Sequence, residues 1–273
     1  MSSFAPEVIF RLGFFPVTNT ILNTILVDFI IVSLVYFGTR RLSLIPSAFQ
    51  NFLEFVVESF YNLTESVAQE KTKMIFPFFM SFFLFILISN FTNLIPGINT
   101  FGFKHNGEIV PFLRGGTTDL NTTLALAIIS VGATHILSIK TIGVTQYLSR
   151  FLPFIPFVIS IFKGKARINL DTSSPIVLIL SIFNPLIFIF VGILEFVSQL
   201  VNLVSLSFRL FGNIYAGEVV LHTISNILLF FAPIPFLMLE VVVGFVQALV
   251  FSMLTMVFMV ILTTPHSVEE GAH

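Results

Sequence analysis

An all-α, polytopic membrane fold follows from three observations. Of the 273 residues, 56% are hydrophobic and 10% charged, and the mean hydropathy is +1.00. A soluble domain carries about a quarter charged residues. Five apolar stretches are each long enough to cross a bilayer, which takes about 20 residues in a helix. Lysines and arginines collect on alternate sides of those stretches, the asymmetry of the positive-inside rule. The expectation is a single membrane domain over residues 1–273. It should hold about five transmembrane helices and an amphipathic interfacial helix, with the last two long helices forming a strongly tilted antiparallel hairpin.

Each element has its own signal. Residues 1–45 hold the N-terminal segment and the first span, residues 18–38, closed by Arg40 and Arg41 and containing Asp28. The start, MSSFAPEVIFRLGFF, has Glu7 and no basic cluster before its first apolar run, so a cleaved leader is not expected. Residues 46–71 are amphipathic: Phe49, Phe52, Leu53, Val56, Phe60, Leu63 and Val67 fall on one helical stripe, and Asn51, Glu54, Glu58, Asn62 and Glu65 on another. The acidic polar face argues against anchoring on anionic lipid and for an interfacial helix beside a partner, with the glutamates solvated. The second span, 74–96, is entered after Lys71 and Lys73, and the third, 119–140, ends on Lys140. Residues 144–161 hold Pro153 and Pro156 in apolar surroundings and read as an interfacial or re-entrant element, followed by a polar loop at 164–174. A long apolar run covers 175–225, and the last helix covers 227–264, with Pro233 and Pro235 near its start.

Alternating the spans places Arg11, Lys104 and Arg114 on one side. It places Arg40, Arg41, Lys71, Lys73, Lys140, Arg150, Lys163, Lys165 and Arg167 on the other. The second side is cytoplasmic by its positive charge, which puts the N-terminus outside and the tail SVEEGAH inside. Net charge is -1, so nucleic acid is not an expected partner. The absence of cysteine excludes disulfides and thiolate metal sites.

The fourth segment carries the chemistry. An unbroken helix from Pro185 to Ser225 would run roughly 60 Å, about twice the hydrocarbon core. It must tilt or break. Gly212 and Gly217 offer break points, but glycine is tolerated in membrane helices, and a steep tilt is the reading adopted. Within this run stands Arg209. A charge at mid-bilayer costs at least about 2.5 kcal/mol, so it points to an ion or substrate pathway rather than to packing.

At about 100° per residue, Glu195, Gln199, Asn202, Arg209 and Asn213 share one face about 80° wide. Glu218 lies roughly 180° round from Arg209 and about 13.5 Å along, with His222 one turn further on the same side as Glu218. Arg209 and Glu218 therefore belong to two polar environments and are not an ion pair. On the last helix Glu240 and Gln247 share a face with Gly244 between them, and an antiparallel neighbour would bring Glu240 toward Glu218 and His222. Asn213 and Gln199 also suit simple helix-to-helix hydrogen bonding, His222 suits a structural histidine, and Asp28 reads as structural.

The segment SLSFRLFGNIYAGE, 205–218, resembles the signature of the a subunit of F-type ATP synthases. APEVIFRLGFFPVTNT at the start, SNFTNLIPG at 89–97, TDLNTTLALA at 118–127 and FVQALVFSMLTMVF near the end resemble the same family in the same order, over essentially the whole chain. The resemblance implies a non-catalytic stator subunit that carries protons past a ring of c subunits through two offset half-channels. Its other partners are the b-subunit peripheral stalk, the rest of the complex and the lipid bilayer. The family's essential arginine matches Arg209, which would keep the ring carboxylate ionised between the half-channels. Glu218 and Glu240 would line the outer half-channel, with Asn213 and Gln247 close to Arg209. Asp119 would stand near the channel mouth and Glu195 on the inner side. The family often pairs an acid with an imidazole at the positions of Glu218 and Glu240; here both are Glu, and the nearest imidazole is His222. No cofactor or metal is implied. The expected setting is a bacterial inner membrane, with the mitochondrial inner membrane as the alternative. A sodium-coupled version of the same subunit, a secondary transporter and a purely structural assembly subunit are the competing readings. The absence of visible inverted repeats counts against the transporter.

Overall fold

A computed structural model describes residues 8–13, 15–40, 42–95, 102–105, 108–151, 175–227 and 233–264. The polar loop expected at 164–174, the second half of the 144–161 element and the C-terminal tail lie outside the described residues. The architecture is all-α, with five helices among the described residues long and apolar enough to cross a membrane. Two short antiparallel hairpins are additions that the helical reading did not contain: β1 (Val8–Leu12) with β2 (Phe15–Thr18), and β3 (Gly102–His105) with β4 (Glu108–Pro111). Both precede a transmembrane helix.

Helix α1 (Asn19–Thr39) buries Asn19, Thr20, Asn23 and Val27 and exposes Phe29, Val32 and Phe37. This inverts the pattern of a soluble helix. Lipid is as apolar as leucine, so packed faces favour small and hydrogen-bonding residues while large apolar side chains turn outward. Helix α2 (Ala48–Ala68) is the amphipathic helix. Ser47 caps it by accepting from Gln50 N, satisfying one of the helix's orphan donors. Its later apolar residues pack inside the same chain: the Phe60 ring lies 4.5 Å from Phe83, and Tyr61 lies 5.2 Å from Phe76. The partner for this part of the stripe is therefore helix α3 (Thr72–Leu94), reached through a single 3₁₀ turn, Gln69–Lys71. Gln69 ends α2 with a φ of 48°, a left-handed conformation uncommon for any residue but glycine.

Helix α4 (Leu120–Ile142) follows a 3₁₀ turn at Gly116–Thr118. Gly143, at φ 82°, then turns the chain into the short α5 (Val144–Phe151). Helix α6 (Pro175–Ile227) has 53 residues, about 80 Å at 1.5 Å per residue. It passes Gly212 and Gly217 without interruption, so neither glycine breaks it. Helix α7 (Pro233–Thr263) starts at the first of its two prolines, where a missing N–H costs nothing because the first turn has no intrahelical acceptor.

Side-chain pairs give the helix directions. Asn90 Nδ2 donates to Gly244 O at 3.0 Å and Lys71 Nζ to Thr264 Oγ1 at 3.1 Å, so α3 and α7 are antiparallel. The hydroxyls of Ser130 and Thr255 meet at 2.8 Å and Ser138 Oγ donates to Leu262 O at 2.6 Å, so α4 and α7 are parallel. Thr123 Oγ1 and Ser207 Oγ lie 3.3 Å apart, and Arg114 approaches Glu218, so α6 runs antiparallel to α4. Asn213 reaches Gln247 across α6 and α7, the antiparallel last pair. One apolar core joins Phe82, Phe83 and Ile86 to Leu206, Leu210 and Phe251; a second joins Ile75 and Phe79 to Met256 and Met259. One end of the bundle carries Lys71, Lys140 and Thr264; the other carries Arg114, Asp119 and Glu218.

Candidate ion pathway

Arg209 lies on the open side of α6. It is exposed, beside the exposed side chains of Phe208 and Val204. Among the described residues its recorded hydrogen-bond partner is Ser205 Oγ, one turn back, at 3.4 Å. In a membrane helix, a guanidinium set among outward apolar side chains requires water or another chain's polar group opposite it.

One turn on, Asn213 Nδ2 donates to Gln247 Oε1 at 2.8 Å. Gln247 is buried, and its Nε2 has no partner among the described residues. The bond ties α6 to α7 next to Arg209. The structure thus brings Asn213 and Gln247 together, with Arg209 one turn from the pair and bonded to Ser205 instead.

Glu218 turns the other way. Its Oε2 is 3.9 Å from Arg114 Nη2. That oxygen is buried and accepts no hydrogen bond among the described residues, where the ion pair is its compensation. Glu240, buried on α7, lies within electrostatic reach of Glu218. Its carboxylate sits against Gly217, in space that a Cβ would occupy. The absent side chain at 217 is what lets α7 place an acid beside α6. Two carboxyls and one guanidinium therefore come together at the end of the bundle opposite Lys71. His222, one turn beyond Glu218, is exposed.

Asp119 is the N-cap of α4: Oδ1 accepts from Asn121 N at 3.0 Å, and Oδ2 accepts from Thr20 Oγ1 at 3.2 Å. Both oxygens are engaged in capping and in clamping α1 to α4, beside Arg114 in the same buried segment. Asn90 is likewise fully used. It donates to Gly244 O and accepts from Thr117 Oγ1 at 2.9 Å, so it joins α3, α7 and the 3₁₀ turn before α4.

On the other side of Arg209 along α6, Glu195 is partly buried and accepts from Gln199 Nε2 at 3.5 Å. His135 on α4 is within electrostatic reach of it and is bonded to Tyr147 on α5.

Sequence reasoning did not select Arg114, His135 or Tyr147. His135 was findable, because an ionisable residue within a span is costly whatever its type. Arg114 carried no local signal, since its partner stands on a helix far along the chain.

Comparison with known proteins settles the family. A family model described as ATP synthase A chain matches residues 21–260. The chain belongs to the ATP synthase A chain family. It is 33% identical to ATP synthase subunit a of Geobacter sulfurreducens over 234 residues, covering 86% of this chain and 82% of the relative. It is 30% identical to ATP synthase subunit a of Citrifermentans bemidjiense over 257 residues, covering 94% and 93%. To ATP synthase subunit a of Moorella thermoacetica it is 29% identical over 258 residues, covering 94% and 96%. Membership makes it an integral membrane subunit of the ATP synthase, with a proton-translocating role in the membrane sector and the rest of the complex as its partner.

Proposed function

We propose that this chain is the stator that hands protons to and from a ring of c subunits through two offset half-channels, with Arg209 dividing them. The observation that carries the reading is the opposed orientation of two residues on one helix. Arg209 is exposed beside outward apolar side chains, while Glu218 turns inward to Arg114 and Glu240. A charge on the open face suits a partner that slides past; carboxyls on the closed face suit an aqueous path leading in from one side.

In this mechanism a proton enters at the Arg114–Asp119 end and passes along Glu218 and Glu240 to a ring carboxylate. The neutral carboxyl travels through lipid around the ring and discharges toward the Glu195 end. The emptied carboxylate meets Arg209, which holds it ionised. Arginine suits this role because it keeps its proton in proteins, so it attracts the carboxylate without relaying the proton and closes the direct route between half-channels. The Asn213–Gln247 bond fixes α6 at that point. The Arg114 end faces outward and the Lys140 end the cytoplasm, in the inner membrane of a bacterium, with the peripheral b-subunit stalk bracing the stator.

Cysteine placement tests the two faces, and the chain has no native cysteine. Asn202→Cys is expected to crosslink to a cysteine in a c-subunit helix. Glu218→Cys is expected to react with a small water-soluble thiol reagent added from outside, because that side is reached by water. Crosslinking of Glu218→Cys to the ring, with no reaction from outside, would contradict the arrangement.

A further inference from the structure

The Lys140 end of the bundle holds an ionisable group with no part in the pathway above. His135 stands inside α4, itself one of the five apolar spans. Leucine or phenylalanine would fill that space at lower cost in a membrane. Its Nδ1 lies 3.0 Å from Tyr147 Oη, and the two rings meet edge to face at 5.9 Å. Tyr147 is carried there by α5, which the Gly143 turn folds back against both α4 and α6. From α6, Glu195 lies within electrostatic reach of the imidazole. Three helices thus converge a histidine, a tyrosine and a glutamate on one place, and Lys140 is the further charge on the last turn of α4.

The tyrosine bond has a useful property. A phenol hydroxyl accepts as well as donates, so Tyr147 can accept from Nδ1–H both in the neutral ring, whose Nε2 is then free, and in the imidazolium. The ring can gain and lose a proton at Nε2 without losing its orientation. Histidine exchanges protons near neutrality, which neither a lysine nor an unperturbed glutamate does. Glu195 lies 14 residues before Arg209, about 21 Å along α6, on the side away from Glu218. The cluster therefore stands across Arg209 from the Arg114–Glu218–Glu240 pocket.

We propose that His135, oriented by Tyr147, is the proton relay between Glu195 and water at the Lys140 end. This rests on the two-half-channel reading above. During synthesis the protonated Glu195 carboxyl gives its proton to Nε2 of the neutral imidazole. The imidazolium then gives one proton to water, and both side chains return to their starting charge. Pumping reverses the order, and no proton is consumed.

The test uses inverted membrane vesicles carrying the complete synthase, in which the Lys140 end faces the added medium. His135→Ala is expected to slow ATP-driven proton pumping about tenfold, the low side of what positioned proton transfer contributes. Imidazole in the medium should restore most of the rate. Pyrazole, the same ring size but too weak a base to carry a proton near neutrality, should not. His135→Gln keeps a hydrogen bond to Tyr147 but cannot carry a proton, and should be as slow as the alanine variant. A wild-type rate in His135→Gln, or rescue by pyrazole as well as by imidazole, or no rescue by either, overturns the relay and leaves a structural bond between α4 and α5. If His135→Ala does not assemble, His135→Gln decides alone: about tenfold loss supports the relay and wild-type rate overturns it. Arg209→Ala in the same vesicles separates the two levels. Pumping lost in Arg209→Ala but normal in His135→Gln rejects only the relay; pumping retained in Arg209→Ala rejects the half-channel reading itself.

Discussion

Arg114 and Glu218 form a partly buried ion pair, Nη2 to Oε2 at 3.9 Å, that joins the segment before α4 to the C-terminal part of α6. Arg114→Gln removes the compensating charge and leaves the Glu218 carboxylate desolvated, the costly half of breaking such a pair. The expected result is a synthase that assembles less stably and pumps more slowly. The double variant Arg114→Gln/Glu218→Gln should recover stability, since neither member of the pair is left charged without the other, but not pumping, since the Glu218 carboxyl is gone. Thermal dissociation of the detergent-solubilised complex, read beside pumping rates, checks this. Equal stability of Arg114→Gln and wild type would show the pair to be incidental.

Gly217 gives a contrast with an internal control. A Cβ there falls on the Glu240 carboxylate, whereas at Gly212 it meets nothing within 4 Å among the described residues. Gly217→Ala should displace Glu240 from Glu218 and slow proton flux, with an overpacking cost of about 1–3 kcal/mol. Gly212→Ala should be nearly silent on flux. Similar rates for the two variants in vesicle assays would mean that the close seating of Glu240 does not matter.

The Asn213–Gln247 bond, 2.8 Å, should show coupling in a double-mutant cycle. A hydrogen bond of this kind contributes about 1 kcal/mol net. Asn213→Ala and Gln247→Ala should each lower the thermal stability of the a-subunit fold, and the pair together should cost less than the two losses combined. Additive losses would place the two side chains in separate environments.

Why part of this site was legible in the sequence and part was not follows from the range of each interaction. Arg209 announces itself because a charge in an apolar run is expensive wherever its helix ends up. Its opposition to Glu218 is a local property, fixed by helical periodicity over nine residues, and the unbroken α6 keeps it. The approach of Glu240 to Glu218 needed only the antiparallel direction of the last pair. The partnership of Glu218 with Arg114 depends on which helices pack together, and periodicity holds no information on that. Asp119 shows a second limit: its side chain is a helix cap and a clamp on Thr20, a role that the resemblance did not imply. The hairpins escaped for another reason. Val8–Leu12 is a short apolar run with no alternation of apolar and polar residues to mark it as a strand.

The charge at position 209 is the centre of the account, and its removal is the most direct measurement. In vesicles with confirmed assembly, Arg209→Ala is expected to abolish ATP-driven pumping and ATP synthesis, and to raise passive proton leak through the membrane sector. The leak should rise because the electrostatic barrier between the two half-channels goes with the guanidinium. Arg209→Lys should restore the barrier only in part, since a desolvated lysine can lose its proton. Normal synthesis in the assembled Arg209→Ala complex, with no added leak, would contradict the account.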